Sequence, residues 1–167
     1  YLNINKGKLY INGDLRMCST NGSYSYGYLT MKNDEDYILV NGDMLVYPRY
    51  NYSTLTAGTI ELKGDFTQKH YSDYPNNFYA SGTHRILLSG DSLQTVSFAS
   101  TSSRFNVVEI TKPLETGYVF SNVTYNELTE NYDISTPPSA PWGLSFVRST
   151  STSIVMTWNE SEGEKDI

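Results

Sequence analysis

Cysteine occurs once in the 167 residues, at Cys18. That excludes an intramolecular disulfide and any cysteine-built zinc cage. A near-absence of cysteine suits the cytosol and a Gram-positive surface equally, so redox logic does not choose a compartment. Charge is also scarce: 18% of residues carry it, with 12 Lys and Arg against 18 Asp and Glu, a formal net charge of −6 and a pI near 4.8. No basic stripe interleaves with the aromatics, which argues against a nucleic-acid partner. No apolar run reaches membrane-spanning length and no signal peptide heads the sequence, so this segment is expected not to insert into a membrane. A chain that opens on Tyr1 is expected to belong to a longer polypeptide. The hydrophobic content of 38% suffices for one core, and the length for one domain or one and a half.

What is present is a repeat. Lys8-Leu9-Tyr10-Ile11-Asn12-Gly13-Asp14-Leu15-Arg16-Met17 returns as Ile38–Val46, as Ile60–Phe66 and, more loosely, as Ile86–Ser92. Each copy places two alternating apolar residues before x-Gly-Asp. Leu9, Ile11, Gly13, Leu15 and Met17 share one side of a period-2 strand, as do Ile38, Val40, Gly42, Met44 and Val46. The glycine therefore sits on the inward side between two apolar pairs, where a missing side chain lets the backbone turn close to the core. The Asp falls on the outward side, where a short carboxylate can accept nearby N–H groups. Each copy reads as strand, corner, strand.

Gly13, Gly42, Gly64 and Gly90 are 29, 22 and 26 residues apart, a spacing typical of repeat arrays. A third apolar pair precedes each unit: Leu2/Ile4, Leu29/Met31, Leu55/Ala57 and Phe78/Ala80. Three short strands per coil, with length variation confined to the connections, describe an all-β parallel β-helix or solenoid of about four to five coils. The usual chirality of β-crossovers makes it right-handed. A Gly-rich antiparallel sandwich with hairpins at Asn-Gly-Asp is the alternative, but hairpins leave three apolar pairs per repeat unexplained. Residues 104–120 read as a final, shorter coil, and Val123 to Leu128 as the end of the stack or its cap. The cluster Lys32-Asn33-Asp34-Glu35-Asp36 reads as a solvated turn, since it lacks the ligand spacing of a calcium loop.

Thr136-Pro137-Pro138-Ser139-Ala140-Pro141 breaks the pattern, as a proline-rich extended linker does. The expected organisation is a solenoid domain over 1–134, a linker over 135–141 and a different module over 142–167. Pro141-Trp142-Gly143-Leu144 and the alternating Ile154, Met156 and Trp158 resemble the opening of a fibronectin type III domain, covering the first two of its seven strands. The sandwich of that family cannot be completed within residues 159–167. The stretches 55–68 and 80–98 resemble β-solenoid repeats of large bacterial surface proteins, and the likeness spans most of residues 1–120. Such repeats are commonly followed by fibronectin type III modules. The resemblance implies an extracellular or cell-surface location and carries over no catalytic residue.

Two groups of residues are candidates for a site. Asp14, Asp43, Asp65 and Asp91 could stack into one outward column, and a bare carboxylate ladder is self-repelling unless a cation bridges it. The competing reading, that each Asp bonds its own corner, explains why Gly always precedes Asp and leaves no metal site. The second group is Tyr-rich. Tyr24 and Tyr26, then Tyr47, Arg49, Tyr50 and Tyr52, then Lys69, His70, Tyr71 and Tyr74 lie in three connections that follow equivalent strands. Stacking gathers them on one flank, where tyrosines suit a glycan or a surface protein. The alternative is that the rings fold back to anchor long loops. His70 and His84 have no nucleophile partner, and no cofactor is expected. The expected role is a non-enzymatic spacer or display module that meets neighbouring domains of its own polypeptide. A glycan- or protein-binding adhesin-like module comes second, and a carbohydrate-active β-helix enzyme third.

Overall fold

The computed structural model describes residues 1–18, 27–48, 53–70, 74–131, 142–149 and 154–159. Contacts divide the chain into two units, Tyr1–Asp133 and Ile134–Ile167. In the first unit the period-2 alternation becomes strands of two to five residues. They are β1 (Leu2–Ile4), β2 (Lys8–Ile11) and β3 (Leu15–Cys18), then β4 (Leu29–Met31), β5 (Tyr37–Val40) and β6 (Met44–Tyr47). The third coil holds β7 (Thr54–Leu55), β8 (Thr59–Leu62) and β9 (Phe66–Gln68). The fourth and fifth hold β10 (Arg85–Leu88), β11 (Gln94–Phe98), β12 (Val107–Ile110) and β13 (Tyr118–Ser121), and β14 (Glu127–Glu130) follows.

Every pairing in this unit is parallel. Sheet I has the order β1-β4-β7, sheet II β14-β12-β10-β8-β5-β2 and sheet III β13-β11-β9-β6-β3. The unit is a β-solenoid of about five turns. Sheet I continues past β7 through parallel bridges from Leu55 to Ala80 and from Tyr79 to Arg104. In sheet II the register runs without a slip through Ile11, Val40, Leu62, Leu88 and Ile110. A one-residue slip would turn every inward side chain outward, so the buried face itself enforces this register. Ile38, Val40, Ile60, Leu62, Ile86, Leu88, Val108 and Ile110 are fully enclosed. Leu9 and Ile11, in the first coil, are only half-buried.

The third coil departs from the apolar pairing read off the sequence. Leu55 stands beside Met31, not Leu29. The place opposite Leu29 falls to Ser53, whose Oγ accepts the Leu29 N–H at 3.1 Å. Between the third and fifth coils the interior turns aromatic. Phe66, Phe78, Phe98 and Phe105 meet edge to face with centroids 4.8 to 5.7 Å apart, the arrangement ring quadrupoles favour. The stretch read as the end of the stack includes β14, which adds a sixth strand to sheet II opposite β12.

The corner between sheets I and II is built from polar side chains that serve backbone groups. The acidic cluster is not wholly a solvated turn, because Asp36 is buried. Its carboxylate accepts the N–H groups of Lys6 (2.7 Å), Lys32 (2.8 Å) and Asn33 (3.0 Å). Burial by itself would raise its pKa, but these N–H donors outweigh it and hold the carboxyl below its usual range. Lower in the same column, Asn106 Nδ2 donates to Gly82 O and Asn126 Nδ2 to Asn106 Oδ1, both at 2.7 Å. His84 occupies this corner in the fourth coil, fully enclosed, with neither ring nitrogen hydrogen-bonded. Burial pulls its pKa down to about 4.

In the second unit, β15 (Trp142–Ser149) and β16 (Ile154–Asn159) form an antiparallel pair with register irregularities between Trp142 and Ser145 and between Phe146 and Arg148. Residues 135–141, read as the linker, lie outside the described residues.

Two measurements check this packing. Replacing Phe66 with Ala should remove about 3–5 kcal/mol from the unfolding free energy in a urea titration, since four rings share that cavity. His84 is neutral when folded and titrates normally when unfolded, so its contribution is complete above about pH 6.5 and declines as pH falls towards 4. The loss should approach about 3 kcal/mol. In a His84→Leu variant, the stability profile between pH 6.5 and 4 should be flatter by that amount; an unchanged slope would contradict the buried neutral imidazole.

Candidate functional site

The Gly-Asp corners join sheet II to sheet III, and the structure gives the aspartates a different partner from the one read in the sequence. Asp14 Oδ1 accepts the N–H of Asp43 at 3.0 Å, Asp43 Oδ1 that of Asp65 at 2.8 Å, and Asp65 Oδ1 that of Thr95 at 2.7 Å. Each carboxylate thus reaches the backbone of the next coil, not its own corner. The glycine follows from the same contact. A Cβ on Gly42 would lie 2.5 Å from Asp14 Oδ1 and 2.7 Å from the Gly13 carbonyl carbon. One on Gly64 would lie 2.5 Å from Asp43 Oδ1 and 2.4 Å from Gly42 O. Asp14 also pairs with Arg16 at 3.0 Å. The Asp43 N–H, and after it Arg16, keep the Asp14 carboxyl below its usual range.

Asp91 leaves this column. The fourth corner spends residues 89–93 between β10 and β11, where the third spends only 63–65, and Gln94 does the bonding. Its Oε1 accepts the Gly90 N–H at 2.9 Å, while Nε2 donates to Leu62 O at 3.0 Å and Gly64 O at 2.7 Å. In the fifth coil Lys112 stands two residues beyond Ile110, where the earlier coils have glycine. It is fully enclosed, and its Nζ donates to Ser92 O at 2.6 Å. Burial lowers its pKa, against the opposing pull of Asp65 and Asp91.

Asp14, Asp43 and Asp65, with Arg16, Leu45, Thr67 and Lys69, line a shallow groove of about 220 Å³ on the outer face of sheet III. Among the described residues, no group of three or more His, Cys, Asp or Glu is arranged to hold a metal ion. The groove offers a mixed acidic and basic floor, with one oxygen of each of its three carboxylates already engaged by backbone.

The Tyr-rich connections leave from the ends of β3, β6 and β9, which are hydrogen-bonded neighbours in sheet III. Two of them return at β4 and β7, neighbours in sheet I, and the third returns at Tyr79 and Ala80, where the bridges continue that sheet. Their feet therefore stand side by side. Tyr47, His70 and Tyr74 are half-buried there and Lys69 is exposed. Tyr24, Tyr26, Arg49, Tyr50, Tyr52 and Tyr71 lie outside the described residues. Two residues the sequence reading passed over anchor these feet. Asn77, buried, donates to Pro48 O at 2.8 Å and Lys69 O at 2.7 Å, and the buried Gln68 donates to Asn77 Oδ1 at 2.7 Å. The available signal was a glutamine on the inward parity of β9, two residues after Phe66.

The outer face of sheet II was also unmarked in the sequence reading. Tyr10 and Tyr37 lie 6.0 Å apart, and Lys8 Nζ sits 5.8 Å from the Tyr37 ring. Glu61 accepts from Tyr37 Oη at 2.5 Å and Ser89 Oγ at 2.6 Å, and burial, with Glu61 second, raises the Tyr37 pKa. Glu109 pairs with Arg85 at 3.0 Å. The enclosed His84 ring has no hydrogen-bonding partner among the described residues. Among the described residues no helix is long and apolar enough to cross a membrane.

The aspartate arrangement makes a prediction about metals. Because the ladder is closed by backbone N–H groups, neither millimolar calcium nor a chelator should move the Tm. A calcium-dependent rise would show a cation stabilising the column by mass action.

Comparisons with protein families, curated proteins and solved structures find no match to this chain.

Proposed function

We propose that this chain is a non-enzymatic structural module of a bacterial surface or secreted protein, serving as a rigid spacer or display element. The observation that carries the reading is the unslipped register from coil to coil, with a continuous apolar and aromatic interior beneath it. Each rung adds about 4.8 Å along the stack, so repetition supplies length and stiffness without requiring a ligand. The repeat resemblance and the fibronectin type III-like opening at 141–158 support an extracellular, multi-module setting for this reading. The pairing of Glu61 and Glu109 and the complete enclosure of His84 give no support to catalysis.

A second reading has its own observation. Three connections of unequal length rise from adjacent strand ends, with Tyr47, Lys69, His70 and Tyr74 at their feet, as in a displayed binding edge. An adhesin-like module would use that edge on a glycan or a surface protein. Glycan and protein arrays probed with the chain separate the two readings. The spacer reading expects no binding above background. Binding abolished by Tyr74→Ala at unchanged Tm would overturn it in favour of the adhesin-like reading, and turnover of acidic polysaccharides would overturn both.

A further inference from the structure

Coil 1 carries features whose purpose nothing within the described residues fulfils. β1, β2 and β3 are the terminal strands of sheets I, II and III, so all three sheets present a free edge on the same side. Leu2, Leu9, Ile11 and Leu15 are half-buried, whereas Leu29, Ile38, Val40 and Met44, one coil on, are enclosed. The decisive contrast is at glycine. Gly42 and Gly64 are required because a preceding Gly-Asp corner lies where their Cβ would be, yet Gly13 has nothing within 4 Å. The N–H groups of Asp43 and Asp65 each have an aspartate from the coil before, and no coil stands before Asp14 to offer one.

We infer that the coil-1 end is a stacking surface for one further coil of the same class, bearing a Gly-Asp corner and joined in cis ahead of Leu2. That coil's Asp carboxylate takes the Asp14 N–H, and its corner backbone fills the space over Gly13. Its apolar pairs complete the enclosure of Leu9, Ile11 and Leu15. The contact continues an interface the molecule already repeats from coil 1 to coil 3. A second copy stacking head to tail fits less well. Among the described residues, the last corner between sheets II and III has Lys112-Pro113 where a Gly-Asp corner would stand, and so offers no carboxylate to the Asp14 N–H. Backbone geometry at the entry is compatible with a connection from sheet III. The Leu2 N–H donates to Tyr28 O at 2.9 Å, and the Tyr1 ring packs edge-on against Tyr28, at the corner where the connection after β3 arrives.

The test extends the whole chain. Residues 28–52 are duplicated in place of Tyr1, so that Leu2 follows Tyr52 as Ser53 does; a second version duplicates residues 53–77. Hydrogen exchange at Asn12, Gly13 and Asp14 should be fast in the original chain and slow by about 100-fold or more in the extended one, and the Tm should rise. Gly13→Ala should be silent in the original chain and should lower the Tm of the extended chain as Gly42→Ala does. If both extensions leave those amides labile, or Gly13→Ala is equally silent with the added coil, the inference fails. Sedimentation of the original chain as a dimer that exposes no coil-1 amides to exchange would also overturn it, assigning the end to a second copy.

Discussion

The whole stack depends on one requirement: the backbone donors exposed where a strand turns a corner must find acceptors one coil away. Strands pair along their length and satisfy themselves, but a corner interrupts the ladder, and a buried or half-buried N–H without an acceptor is costly. At the corner between sheets II and III, the aspartates of the first three coils supply that acceptor to the coil that follows. The carboxylate can reach across only if the next corner has no side chain in its way. Gly and Asp are therefore two halves of one contact, made between successive copies of the motif and not within any one of them.

Where the Gly-Asp contact ends, other residues take over the same duty. Gln94 reaches into the longer fourth corner and bonds three backbone groups, and Lys112 then fills the fifth with its own stem and donates to the coil above. On the corner between sheets I and II, Asp36 and Asn106 bond backbone groups in the same way, and Asn126 in turn holds the Asn106 side chain. His84 is the exception, an enclosed imidazole that bonds nothing. The fold thus tolerates connections of unequal length because corner satisfaction, more than loop length, keeps the coils in register. That division leaves the connections free to vary, which is what a spacer or display scaffold needs.

Much of this architecture is legible in the sequence because its signal is one-dimensional. Period-2 alternation and a recurring x-Gly-Asp specify strand, corner and coil without reference to distant residues. The readings that missed did so where the partner is one coil away. Nothing local tells whether an Asp serves its own corner or the next. Nor does composition show that Asp36, in a run of charges, is the one that turns inward to collect three N–H groups. Leu55 could be aligned by type with Leu29 or Met31, and only the pairing of Ser53 with Leu29 decides it. Of the candidate site, the meeting of the loop feet follows from coil geometry, whereas Asn77 and Gln68 are identified only by the carbonyls they hold.

The central claim is that carboxylates report to amides one coil away. The direct measurement is an NMR pH titration that follows side-chain carboxyl carbons and backbone amide protons together. The account predicts that the amide protons of Asp43, Asp65 and Thr95 shift with the carboxyls of Asp14, Asp43 and Asp65, respectively, each preceding its amide by one coil. Amide shifts that follow only the carboxyl within the same corner would contradict it.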